Sequence, residues 1–240
     1  MKKSRVLSSS LLVAMVVLLV LQSCSMQSLE FETGSLKITM ESGDEWLHDY
    51  PLLGPIAMKN PPTFALWVTD ESDNYIDTIF VTKKFGEVSW IANDDPREEA
   101  LPLYSFVRGG QPTKETPAPD EITGATPLAS SSYKVIPSSD LKKCKLYLEI
   151  NHSLDYNSFF LEGVNDMNAS NYSGGIGGSG QPALVYCAVI DRESDASKTV
   201  EFELVGYSEP GKAGNGTIYT DLSQITTAKD IVKTVKVQVL

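Results

Sequence analysis

The nine residues Lys143 to Asn151 constrain the fold more than any others. Cys144, Leu146, Leu148 and Ile150 alternate with Lys143, Lys145 and Glu149. A period of two places the apolar side chains on one face of a β-strand and the charges on the other. The same period recurs at Ser35 to Met40 (Leu36, Ile38, Met40), Thr199 to Tyr207 (Val200, Phe202, Leu204) and Ile231 to Leu240 (Val235, Val237, Val239). Pro182 to Asp191 is a continuous apolar run, which predicts a central strand. Thr63 to Asp70 and Tyr75 to Lys83 flank the turn-forming Asp70-Glu71-Ser72-Asp73-Asn74 and predict a hairpin. Tyr133 to Ile136 is a further short strand.

Helical patterning is sparse. Asp95-Pro96-Arg97-Glu98-Glu99 opens one short helix, with Asp95 as cap and Pro96 at its first position. Ala100, Leu101, Tyr104 and Val107 would form its buried face, and Pro102 limits it to about two turns. Gly43 to Pro62 holds four prolines and reads as a long ordered loop. About seven to nine strands without an internal repeat give an all-β fold, an antiparallel β-sandwich of immunoglobulin or fibronectin type with long loops. It is expected as a single domain over residues 35–240.

The N-terminus sets the expected location. Lys2, Lys3 and Arg5 precede the apolar stretch Leu11 to Leu21, which reads as a signal peptide over residues 1–23. Leu21-Gln22-Ser23-Cys24 resembles the bacterial lipobox, which implies cleavage before Cys24 and lipidation there. Residues 24–34 would then be the lipid anchor and spacer, holding the protein on the membrane of the cell envelope, facing the periplasm. The other reading is an ordinary signal peptide that leaves Cys24 a free thiol. A net charge of −11 argues against nucleic acid as a partner. Cys144 and Cys187 could pair in an oxidising compartment, or each could serve as a small buried hydrophobe.

One stretch lies outside the strand patterns. Asp120-Glu121-Ile122-Thr123-Gly124-Ala125-Thr126 follows a Pro-rich run and precedes Pro127. Together with Pro62 to Val68, Ile76 to Ile79, Leu148 to Asn151 and Gly180 to Tyr186, it resembles the predicted periplasmic family named domain of unknown function 2271. That resemblance implies a compartment and a rough fold, and no reaction.

The string D-x-x-T-G-A-T also resembles the flavin-attachment sequence of carrier subunits in membrane NADH-oxidising complexes. There a flavin transferase esterifies FMN to the last Thr, which is Thr126 in this chain. The resemblance gives Asp120 a positioning role and makes Thr123, Gly124 and Ala125 an unobstructed loop. Its implied partners are a flavin transferase and a membrane redox protein. Glu121 departs from that pattern, where a small residue is favoured. The alternative is a structural turn in which Thr123 and Thr126 satisfy backbone groups. Tyr104, Phe106 and Trp90 are the nearby aromatic candidates for an isoalloxazine ring.

The remaining candidates have ordinary readings beside them. His152 with Asp155 could join a metal or acid–base cluster, or form a solvated strand end. His48, near Trp46 and Tyr50, reads as packing. Asp70, Asp73 and Asn74 could hold calcium, or simply close the hairpin. Ser173 to Gly180 lacks the Lys-Ser/Thr ending of a phosphate loop and reads as a loop tip with room for a ligand. Neither G-x-S-x-G nor H-E-x-x-H occurs, which argues against a hydrolase. Two functions follow as expectations: a non-catalytic accessory or ligand-binding module, or a redox carrier with FMN on Thr126.

Overall fold

The computed structural model describes residues 35–53, 56–90, 95–119, 122–137, 141–175 and 177–240. The leader, Cys24, the spacer and Asp120 lie outside the described residues. Among the described residues there are twelve strands: β1 (Leu36–Ser42), β2 (His48–Leu53), β3 (Ile56–Asn60), β4 (Thr63–Thr69), β5 (Tyr75–Thr82), β6 (Thr123–Gly124), β7 (Ser131–Val135), β8 (Lys143–Asn151), β9 (Leu184–Asp191), β10 (Thr199–Glu201), β11 (Glu203–Tyr207) and β12 (Val232–Val239). The chain is all-β, with a helical turn at Lys83–Gly86, a helix at Pro102–Arg108 and a few 3-10 turns.

A four-stranded sheet runs β10-β12-β1-β7 and a six-stranded sheet runs β11-β9-β8-β4-β5-β6, while β2 and β3 form a separate ribbon. Every pairing is antiparallel except β5 with β6. Leu36, Ile38 and Met40 of β1 and Val235, Val237 and Val239 of β12 share one core with Leu146, Leu148 and Ile150 of β8 and Phe64 and Leu66 of β4. Each such buried side chain contributes about 1.5–3 kcal/mol.

The opposite face of the six-stranded sheet is covered too. Ala65, Trp67 and Val185 pack against Phe85, Leu101, Leu103 and Tyr104 in a second core. All seven residues of β4 are consequently buried. Glu149, expected on a charged outer face of β8, lies under this cover with no exposure at all. Its carboxylate oxygens accept the backbone N–H groups of Leu103 at 3.0 Å and Tyr104 at 2.7 Å.

Those two donors explain where the helix starts. The chain before it forms only a 3-10 turn at Glu98–Ala100, and the α-helix begins with Pro102 at its first position. Asp95 and Pro96 therefore do not start it, contrary to the sequence reading. Proline has no N–H to leave unsatisfied there, so Leu103 and Tyr104 carry the first free donors. Leu101, the residue before the helix, makes no side-chain cap, and Glu149 supplies the acceptor across the sheet. Gly109, at φ 84°, ends the helix in the left-handed conformation.

Three further expectations change. The Pro-rich span 43–62 is not wholly a loop, because β2 and β3 pair within it. Thr199 to Tyr207 is not one strand: β10 joins β12 in one sheet and β11 joins β9 in the other. Phe202, at the crossing, is buried and donates its N–H to the Val235 carbonyl at 2.9 Å. Finally, Cys144 stands opposite Ile190 and Cys187 opposite Tyr147, which puts the two thiols on different faces of one sheet. No bridge can form from that register, and both are free.

Burial raises the acid of Glu149 to about 7, against the pull of Ser208 and the two backbone donors. An unfolded glutamate titrates near ~4.3, so the folded chain keeps a proton that the unfolded chain has lost between those values. Stability from this group is full below the unfolded value and is lost as pH rises towards about 7. Urea unfolding across that window should therefore show a loss about 3 kcal/mol larger in the wild type than in Glu149→Gln. Parallel pH profiles would show that the folded carboxylate titrates normally.

Candidate functional site

The described part of the segment that resembles a flavin-attachment sequence, Ile122 to Thr126, is held against the body. Thr123 and Gly124 pair in parallel with Val81 and Thr82 of β5, so a strand does pass through a stretch read as irregular. The Thr123 hydroxyl donates to the Pro119 carbonyl. Gly124 lies against the Phe80 ring, where a Cβ would stand 2.7 Å from Cε2. Only glycine lets β6 come this close. Ala125 is exposed, and Thr126 is half-buried. The Thr126 hydroxyl donates to the Pro62 carbonyl at 3.1 Å, and the next carbonyl, that of Pro127, accepts the Trp46 indole N–H at 2.9 Å.

The aromatic residues near it in sequence disperse. Tyr104 is fully buried in the second core, and Phe106, about half exposed at 53%, lies against Gly216. Trp90 lines a pocket.

That pocket, of about 170 Å³, is built by Asn60, Lys84, Ser89, Trp90, Arg97, Ser153 and Gly177. These residues come from the end of β3, the turn after β5, the approach to the helix, the chain after β8 and the glycine-rich loop. The single turn Lys83–Gly86 splits its side chains: Phe85 is buried in the second core and half-buried Lys84 reaches the pocket. Lys84 Nζ donates to the Pro61 carbonyl at 2.8 Å and to Asn60 Oδ1 at 3.4 Å. It sits 6.0 Å from the centre of the Trp90 ring, and the Arg97 guanidinium sits 5.3 Å from it. Arg97 Nη1 also donates to the Gly177 carbonyl at 3.2 Å, which gives the glycine-rich loop a defined task. Burial, and then the charge of Arg97, pull the Lys84 amine down to about 7.

The turn that delivers Ser89 and Trp90 is strained. Val88, immediately before them, has φ 52° and is buried. A β-branched residue in the left-handed region is unfavourable and persists only where its surroundings enforce it. The Ser89 N–H bonds to the Lys84 carbonyl at 3.0 Å and closes this turn.

His48 and His152 come together near this region, with ring centres 5.7 Å apart. His152 is buried, and its Nε2 donates to the Trp46 carbonyl at 3.2 Å. Its Nδ1 has no hydrogen-bond partner among the described residues. Burial and the charge of Lys84 push this imidazole down to about 3, so it stays neutral. Asp155 is occupied by the Thr227 hydroxyl at 2.5 Å, with its acid raised by burial. Among the described residues no three His, Cys, Asp or Glu side chains are placed to hold a metal ion. Asp70 accepts N–H groups of Ser72 at 2.8 Å and Asn74 at 2.9 Å, and Asp73 pairs with Lys145 at 2.7 Å, so both acids are consumed by the hairpin tip and its neighbour.

The pocket residues span Asn60 to Gly177 and share no local motif, and the sequence pointed only to Trp90 and the glycine-rich loop. No family model, no curated protein and no solved structure matches the chain.

Producing the protein together with a flavin transferase should leave its intact mass unmodified, because the Thr126 hydroxyl is engaged by Pro62. A gain matching FMN that disappears in Thr126→Ala would instead establish a carrier.

Proposed function

We propose that this chain is a lipid-anchored protein of the cell envelope, held through Cys24, that binds a small ligand without transforming it. The lipobox-like Leu21 to Cys24 supports the anchor. The core shared by the two larger sheets supports an immunoglobulin- or fibronectin-like β-sandwich as its body. The ligand site is the pocket around Lys84, Trp90 and Arg97. One observation carries this assignment: two cationic side chains converge on one indole in a concave site, next to a strained turn.

Several features favour binding over catalysis. The buried His152 is neutral, its Nε2 is bonded to a backbone carbonyl, and its Nδ1 has no hydrogen-bond partner among the described residues. The Ser89 hydroxyl donates to the Lys83 carbonyl at 3.4 Å, so it is directed at the backbone and not at a histidine. The T-G-A-T segment serves as structure in this reading, supported by the Thr126 bond to Pro62.

An NMR screen of small polar compounds against the mature chain tests the site. Compounds that bind should shift the Trp90 indole and Gly177 amide signals and leave the buried indoles of Trp46 and Trp67 unmoved. Binding that maps only elsewhere would contradict the assignment.

A further inference from the structure

Lys84 and Arg97 are bonded to no carboxylate among the described residues. Lys59, Lys145 and Lys233 each lie 2.6–2.7 Å from a carboxylate, as expected in a protein of net charge −11. Among the described residues, the acceptors bonded to Lys84 and Arg97 are all neutral: the carbonyls of Pro61 and Gly177 and the amide of Asn60. Their two like charges stand close enough for Arg97 to depress the Lys84 amine.

Holding two like charges together is unfavourable unless an opposite charge joins them. Here the neutral acceptors fix both side chains in place, and the indole offers each a cation–π contact. The arrangement is therefore positioned before any ligand arrives, which lowers the entropic cost of binding. Ser89 and Ser153 line the same walls. At about 170 Å³ the pocket is smaller than the ~300 Å³ at which sites begin to enclose drug-sized ligands. It takes one small group, either a compact ligand or one end of a larger one.

We propose that Lys84 and Arg97, with Ser89 and Ser153 beside them, bind a single oxyanion group, a carboxylate or a tetrahedral sulfate- or phosphate-type group. This rests on the pocket being the ligand site. Arg97 offers a planar fork of donors to such a group, and Lys84 offers a point charge.

The site carries its own pH dependence. Lys84 is faced by Arg97, by neutral His152, and by the indole of Trp90; Glu99, raised by burial, lies on the segment that bears Arg97. As pH rises through about 7, Lys84 loses its proton and with it one of the two charges. Affinity for an anion that does not itself titrate therefore falls in that direction.

The mature protein is titrated with sodium sulfate and with sodium acetate at constant ionic strength. The Trp90 indole signal, assigned by its loss in Trp90→Phe, is followed, and glucose serves as a neutral probe. A saturable shift with at least one anion is expected, and the tighter of the two identifies the tetrahedral or the planar group. Arg97→Gln should weaken it about tenfold, with the Trp46 and Trp67 signals reporting an intact fold. Sulfate affinity should fall by up to about tenfold between about pH 6 and about pH 8, and Lys84→Arg should remove that fall. Equal anion affinity in Arg97→Gln would overturn the proposal. So would a Trp90 shift with glucose and none with either anion, which would leave the pocket a ligand site of another chemistry. Silence of Trp90 to all three probes and to the wider screen would overturn both.

Discussion

The bond between Glu149 and the start of the helix at Pro102–Arg108 is the constraint on which the outer half of this protein depends. A carboxylate with no exposure is costly to bury, and it persists only when its oxygens are satisfied. Two backbone N–H groups satisfy it here, at 3.0 and 2.7 Å, and the positive end of the helical dipoles lies against it. The same contact solves the opposite problem, because a helix that starts under cover would otherwise leave its first donors unpaired. Each group is what makes the other tolerable.

From that contact the cover is laid down. Fixing Leu103 and Tyr104 on β8 sets Leu101, Leu103 and Tyr104 against Trp67 and Val185, and brings Phe85 to 6.1 Å from the Tyr104 ring. Phe85 and Lys84 are neighbours in one turn, so seating Phe85 in the second core aims Lys84 the other way. Arg97 stands just ahead of the helix on the same segment. The pocket is thus a by-product of how the sheet's outer face is sealed, and its two cations are placed by the packing of their neighbours.

The inner core was legible because alternation reports faces directly. Leu146 and Leu148, Ile38 and Met40, and Val235 and Val237 all took the side that their period assigned. Alternation does not say what lies on the other face. Glu149 was therefore read as a solvent-facing charge, when a segment some forty-five residues earlier lies over it. Phe202 kept the strand period while the chain changed sheets, which no local pattern records. Thr123 and Gly124 gave no strand signal because two residues are too few, and their partner strand supplies the pairing. Beyond Trp90 and the glycine-rich loop the pocket was hidden for a related reason: Lys84, Arg97 and Ser153 meet only after distant segments fold together.

Amide hydrogen exchange at Leu103 and Tyr104 tests this dependence most directly. If Glu149 holds the cover as a permanent part of the fold, both amides exchange only through global unfolding, with the same opening free energy as the central amides of β8. Exchange of these two through a smaller, local opening while β8 stays protected would contradict it.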